Sequence, residues 1–166
     1  MTVTVLVLYD SPGPQVRLLA EAVAQGVKEI EGAGAFLRTL AEARREDLLA
    51  CDALVLGSPN WSGLMGRFKV WLDEQWDLWE EGSLAGKVGA AFTAGRRAHS
   101  GLEFTLLSLL HWLLACGMVV VGLPWSEAMH TSGSYYGATA VGEVREADRA
   151  QARALGGEVG YHRRGR

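Results

Sequence analysis

The feature that most constrains the fold is a series of short apolar runs that alternate with helical patterns. Thr2 to Tyr9 reads TVTVLVLY, a β-branched and largely apolar run. Such a run is typical of a strand that is covered on both faces. Ala53 to Gly57 and Val88 to Thr93 have the same character. We therefore expect a sheet with helices packed on both of its sides.

The rest of the chain continues this alternation. Apolar residues recur at helical spacing after each strand, starting with Val16, Leu19 and Val23 in the first helix. Because parallel strands need long right-handed crossovers, the pattern predicts an α/β fold with a five-stranded parallel sheet. The predicted strands are 2–9, 35–40, 53–57, 88–93 and 118–121, and the predicted helices are 16–30, 42–49, 66–79, 102–115 and 146–161.

Length and composition indicate one soluble domain, residues 1–166, with 49% hydrophobic and 21% charged residues. A net charge of −3 offers no basic field for nucleic acid. Met1 leads directly into a strand without a signal sequence, so we expect a cytoplasmic protein. Two cysteines are too few for a metal or disulfide framework. The apolar stretch 104–121 predicts a helix ending at Gly117 and then a strand, not membrane insertion.

Three loops meet at one edge of the predicted sheet, because each follows the carboxyl end of a strand. In open parallel sheets, ligands bind beyond this edge. The first loop opens a helix, whose unpaired amides suit an anion, although a plain turn would look the same. The second contains a tryptophan that suits either a flat ligand or a partner surface. The third is basic and would also be stable as a solvated loop. The loops are Ser11 to Val16 (SPGPQV), Ser58 to Gly63 (SPNWSG) and Ala94 to Gly101 (AGRRAHSG).

Two common nucleotide sites are excluded by the first loop. It lacks G-x-G-x-x-G, the pattern of a dinucleotide-binding Rossmann site, and it lacks the G-K-[ST] of a P-loop. It also contains no lysine or arginine, so neutral donors would have to hold an anion there.

Longer stretches resemble the WrbA-type family of flavodoxin-like NAD(P)H:quinone oxidoreductases. VLVLYDSPGPQVRLLAEAVAQGV resembles the family's first strand, phosphate loop and helix, and GSPNWSGLMGRFKVWLDEQWDLWEEGSLAGKVGAAFTAG resembles its second flavin loop through its fourth strand. ACGMVVVGLP and SYYGATAVG resemble its fifth strand and a late Tyr-Gly-Ala segment. The resemblance covers nearly the whole chain and implies a flavodoxin-like sheet of order 2-1-3-4-5.

The resemblance implies a cofactor, FMN, and a set of residues around it. The first loop would hold its phosphate and ribityl end, and the second and third loops would surround the isoalloxazine. Trp79 would stack over the flavin site and, with Tyr135 or Tyr136, form a slot for flat substrates. The implied cofactor-binding residues are Ser11, Pro12, Gly13, Pro14, Gln15, Val16, Ser58, Pro59, Asn60, Trp61, Ser62, Gly63, Thr93, Ala94, Gly95, Arg96, Arg97, Ala98, His99 and Cys116, and the implied catalytic residues are Trp79 and Tyr136.

Some positions depart from the family pattern. Pro14 stands where the family usually has glycine, which removes one amide that would face the phosphate. The second loop is about one residue shorter, and Cys116 stands where the family often has a histidine. These differences predict weaker FMN binding than is typical of the family.

The expected activity is transfer of two electrons from NAD(P)H to quinones through FMN. The alternatives are a one-electron flavodoxin-type carrier, a flavin-free binding module on the same fold, and a reductase of azo or nitro compounds. His130 is a candidate hydrogen-bond donor to a quinone oxygen, although a surface histidine is the simpler interpretation. The helix at 102–115 has little polar face, which predicts either a homo-oligomer (a dimer or a tetramer) or a helix deep in the core of one chain.

Overall fold

Strands and helices alternate along the chain in the computed structural model, which describes residues 2–164. The strands are β1 (Val3–Tyr9), β2 (Ala33–Thr39), β3 (Ala53–Pro59), β4 (Val88–Gly95), β5 (Val119–Val120) and β6 (Ala138–Val141). The helices are α1 (Pro14–Lys28), α2 (Arg45–Ala50), α3 (Gly66–Asp73), α4 (Trp76–Glu80), α5 (Leu102–Ala115), α6 (Met129–Ser132) and α7 (Glu146–Arg164).

The sheet has the order β2-β1-β3-β4-β5 with every pair parallel, which confirms the predicted flavodoxin-like topology. A sixth strand, β6, was not predicted. It pairs with the carboxyl half of β4, whereas β5 pairs with Val88 and Gly89 at the start of β4. Because β3 occupies the other edge of β4, β5 and β6 lie in line along its remaining edge. The fifth strand predicted over 118–121 is therefore shorter, Val119–Val120, and residues 121–137 separate it from β6.

The two faces of the sheet are covered by different helices, as expected from the apolar strands. We call them the α1/α7 face and the α5 face. On the α1/α7 face, Val5, Val7 and Val55 pack against α1 and α7. On the α5 face, Leu6 and Leu54 pack against α2, α3, α4 and α5. The alternation of side chains along each strand divides the apolar core into these two layers.

The α1/α7 face depends on two glycines at the crossing of its helices. A Cβ atom on Gly26 would lie 1.9 Å from the carbonyl oxygen of Arg153, and one on Gly156 would lie 2.0 Å from that of Val23. These positions have no room for any side chain, because the obstacle in each case is backbone. The helices therefore approach at a distance that only glycine permits.

The single helix predicted over residues 66–79 is divided in two. Gln75 has φ −94° and ψ 20°, and its side-chain amide donates to the carbonyl of Trp71 at 3.1 Å. The aromatic and leucine side chains of this segment therefore do not form a single stripe. Phe68 on α3 is fully buried, whereas Trp76 and Trp79 on α4 are exposed.

Helix α5 ends where the sequence predicts. Its last residue is Ala115, and Gly117 then adopts a left-handed conformation with φ 71° before β5 begins. Within residues 2–164, no helix is long and apolar enough to cross a membrane.

Candidate cofactor site

A cavity of about 570 Å³ lies beyond the carboxyl ends of β1, β3 and β4. This volume is within the range of small-molecule sites. All three predicted loops contribute to it, together with Gly142 at the end of β6. The lining residues are Ser11, Pro12, Gly13, Gln15, Val16, Pro59, Asn60, Trp61, Ser62, Ala94, Gly95, Arg96, Arg97, Ser100 and Gly142.

The first loop delivers the amino terminus of α1 to this cavity. Gly13 precedes the helix in an extended conformation, and no side chain caps the first turn. The amide groups there are therefore available, and the positive end of the helix dipole favours an anion. Pro14 is the first helical residue and has no N–H. It lines a separate cavity of about 340 Å³ behind the loop, beside Tyr9 and Arg17.

An acidic residue stands directly before the first loop, and sequence reasoning did not single it out. Asp10 is buried, and Arg67 at the start of α3 donates two hydrogen bonds to its carboxylate, at 2.6 and 2.8 Å. These hydrogen bonds raise the pKa of Arg67 above its ordinary value. A free carboxylate would repel an anion in this loop. The bidentate ion pair therefore neutralises Asp10 and joins β1 to α3.

Hydrogen bonding to a heterocycle would need a free side-chain amide. The amide of Asn60 is already hydrogen bonded within the protein. Its Nδ2 donates to the carbonyl of Ser100 at 2.8 Å, and its Oδ1 accepts from the amide of Gly63 at 3.0 Å. The hydroxyl of Thr105 on α5 donates to the same oxygen at 2.9 Å. Asn60 is thus a positioning residue that holds the second loop, the third loop and α5 together.

Ser58 and Thr93 lie beneath the cavity floor. Both are fully buried, and the Thr93 hydroxyl donates to the carbonyl of Ser58 at 2.7 Å. The Ser58 hydroxyl donates to the carbonyl of Pro59 at 2.9 Å. Neither side chain lines the cavity, so both fix the ends of β3 and β4.

The second loop turns sharply and leaves Trp61 on the cavity rim. The amide of Trp61 donates to the carbonyl of Gly63 at 2.9 Å. Ser62 has φ 54°, the one positive φ of a non-glycine residue between residues 2 and 164, and Gly63 has φ 104°. Backbone strain of this kind is often found at binding sites. The Trp61 side chain remains 70% exposed, so it offers a flat apolar surface to a ligand.

The third loop supplies the only formal charge on the cavity lining, counting the residues that the structure describes. Arg96 and Arg97 both line the cavity, and no aspartate or glutamate does. Ala98 and His99 are exposed and do not line the cavity. Ser100 lies within the predicted loop, although it was not among the predicted site residues. Gly142 was missed because its strand, β6, was not predicted.

Several predicted residues are not brought to the cavity. Cys116 is the residue after α5, so it lies at the opposite, amino edge of the sheet, buried against the apolar core. Trp79 is exposed on α4, which leads to the start of β4. Tyr136 packs on the α5 face with its ring 4.6 Å from that of Tyr135, and hydrogen bonding to Tyr135 raises its pKa. Tyr135 and His130 line a third cavity of about 280 Å³.

The cavity has the properties that FMN requires. Its first loop offers amide donors for a phosphate, and its lining includes no carboxylate that would repel one, among residues 2–164. The second and third loops offer an apolar floor and an aromatic rim for a ring system. When bound, FMN supplies the capacity to accept and pass on a hydride.

Known proteins resemble this chain in sequence and fold. The model of the NADPH-dependent FMN reductase family matches residues 27–131. An NAD(P)H dehydrogenase (quinone) of Archaeoglobus fulgidus is 36% identical over 180 residues, covering 93% of this chain and 94% of the relative. One from Geobacter sulfurreducens is 35% identical over 168 residues, covering 82% and 83%.

Solved structures share the fold at lower identity. A flavodoxin, WrbA-like protein from Agrobacterium tumefaciens superposes with a TM-score of 0.81 at 23% identity, covering 99% of both chains. Flavodoxin 1 from Bacillus cereus gives a TM-score of 0.72 at 19% identity, covering 96% of this chain and 98% of that one. The chain therefore belongs to the NADPH-dependent FMN reductase family, and it is an FMN-dependent NAD(P)H oxidoreductase of the WrbA type.

Proposed function

We propose that this protein transfers two electrons from NAD(P)H to quinones with FMN held in the three-loop cavity. The observation that carries the proposal is the convergence of an uncapped helix amino terminus and an aromatic rim in one cavity. The curated relatives named NAD(P)H dehydrogenase (quinone) support the choice of acceptor.

In this proposal the first loop holds the phosphate of FMN through the amides of Gln15 and Val16. The strands β3 and β4 end beneath the ring, and Trp61 covers it from the rim. Asn60 fixes the distance between the loops on either side of the ring. None of these residues carries a proton in the reaction; they bind, orient and exclude water.

The proposal includes a homo-oligomer, because the α5 face leaves apolar side chains in water. Phe104, Leu107 and Leu114 follow one another along α5 at steps of three and seven residues and are exposed, Phe104 by 71%. Trp76 and Trp79 on α4 are also exposed. A second copy of the chain would cover this surface. Trp79 does not line the cavity of its own chain, so any role over a flavin would require it to reach a neighbouring subunit's cavity.

The first experiment is a titration of the apoprotein with FMN and, separately, with riboflavin, followed by flavin fluorescence. We expect saturation at one FMN per chain and much weaker binding of riboflavin, because the first loop contacts the phosphate. NADH and NADPH oxidation is then measured with and without a quinone. A protein that binds FMN but oxidises neither nucleotide would be a one-electron carrier, and a protein that binds no FMN would be a flavin-free binding module.

The role of Trp79 is tested by Trp79→Ala, with Trp76→Ala as the matched control on the same helix. Stacking on a quinone predicts a higher quinone KM in Trp79→Ala with FMN binding retained. Equal KM values in both variants and the wild type would remove Trp79 from the site.

A further inference from the structure

Two adjacent arginines at the cavity lack the carboxylate partners that several other arginines have. Arg45, Arg67 and Arg145 all pair with carboxylates. Arg96 and Arg97 line the cavity and are exposed, and neither forms an ion pair or a side-chain hydrogen bond within the described residues. The chain is negatively charged overall, with a net charge of −3. Two unpaired guanidinium groups therefore make this rim a local site for an anion.

The phosphate of FMN is better placed elsewhere. It fits the amino terminus of α1, which follows β1, whereas the arginines follow β4. Because β3 lies between β1 and β4, the two loops start about 10 Å apart, which is two strand spacings. The arginines are thus on the side of the cavity where the ring of the flavin would lie, and they remain available for a second ligand.

We propose that Arg96 and Arg97 bind the phosphate groups of the nicotinamide dinucleotide while its nicotinamide lies over the flavin. The inference rests on the proposed function, which places FMN in this cavity. Each guanidinium presents a planar fork of N–H donors that matches phosphate oxygens, and consecutive residues bring two such forks to one diphosphate. Trp61 on the same rim offers a surface on which a flat ring of the dinucleotide stacks.

The test compares the wild type, Arg96→Gln, Arg97→Gln and the double variant, all saturated with FMN. Lys28→Gln is the control for each single variant, because it also removes one positive charge. Lys28 is exposed at the carboxyl end of α1, at the opposite edge of the sheet. Calorimetry measures the Kd of NADP⁺ and of NAD⁺ at low and high salt. Flavin reduction is measured with NADPH and with 1-benzyl-1,4-dihydronicotinamide, a reductant that carries no phosphate.

We expect the Kd of NADP⁺ to rise at least tenfold in the double variant and to remain unchanged in Lys28→Gln. The salt dependence of binding is expected to flatten, and the preference for NADPH over the phosphate-free reductant is expected to fall by a similar factor. An unchanged Kd for NADP⁺ in the double variant would overturn the inference.

Titration of the apoprotein variants with FMN and with riboflavin tests whether the arginines bind the phosphate of FMN and not that of the dinucleotide. If the double variant loses affinity for FMN but not for riboflavin, the arginines read the cofactor's phosphate and the inference is wrong. A failure of the proposed function would give a different result. The wild type itself would bind FMN but would neither bind NADP⁺ nor be reduced by NADPH. That result would remove the inference as well.

Discussion

The two faces of the sheet bury apolar surface in different ways. On the α1/α7 face, two glycines let the helices approach until backbone meets backbone, and α1 and α7 together cover the strands. On the α5 face, four shorter helices cover the strands, and one of them turns Phe104 and Leu114 towards water. The first face is covered by two long helices, whereas the second leaves large apolar side chains exposed.

The largest expected effect is on the α1/α7 face, with Gly156→Ala. The new Cβ would lie 2.0 Å from the carbonyl oxygen of Val23, so α7 would have to move away from α1. We expect a loss of about 3 kcal/mol in the free energy of unfolding, measured with urea. Gly157→Ala is the control, because nothing lies within 4 Å of that position. It should gain about 0.5 kcal/mol from helix propensity, and equal stability of the two variants would contradict close helix packing.

The next effect tests the α5 face with Phe104→Ser combined with Leu114→Ser. If this surface joins two copies, the variant should dissociate roughly tenfold to a hundredfold more readily, as seen by light scattering after gel filtration. Tyr161→Ser on α7 is the control, since Tyr161 is also exposed but lies on the other face. A wild type that is already monomeric would show that the α5 face is not a subunit interface.

Both cysteines lie on the α5 face, and they make its stability depend on pH. Burial raises the pKa of Cys51 and of Cys116 to about 11, from an ordinary value of 9.0. Below pH 9.0 the thiols are protonated in the folded and unfolded states alike. Above it the unfolded chain ionises first, so stability should fall as the pH rises towards 11. The double variant Cys51→Ala and Cys116→Ala should lose less stability over the same range, as measured by urea unfolding.

The smallest effect concerns ion pairs, which do not distinguish the faces. Arg17 and Glu21 on α1, and Lys69 and Asp73 on α3, are exposed pairs four residues apart. Replacing Arg17 or Lys69 by alanine should cost at most about 0.5 kcal/mol in each case. A much larger loss of unfolding free energy on one face alone would mean that the two faces differ in charge interactions and not in apolar packing.

The sequence was sufficient for the strands and for the three loops, because both depend on local patterns. It was insufficient for β6, whose four residues ATAV form a strand only because the edge of β4 is free beside them. The division of the helix at Gln75 was also missed, and with it the position of Trp79. Apolar residues continue at helical spacing across Gln75 in the sequence, although the backbone helix is interrupted there.

The roles within the site were harder to predict than its location. The side-chain partners of Asn60, Ser100 and Thr105, are 40 and 45 residues away in the chain. Asp10 and Arg67 are separated by 57 residues. Such contacts follow from the topology of the sheet, so no short motif reveals them. The distant Cys116 was included through family resemblance, without a structural argument from this chain.

The hydrogen bonds of Asn60 also bear on the rate at which a cofactor enters. Since one amide secures two loops and α5 within the folded chain, the conformational entropy of those loops is lost during folding. A ligand that arrives later meets a preorganised cavity and does not have to order it. Association would then be limited by diffusion and desolvation, and release of the ligand would leave the shape of the cavity unchanged.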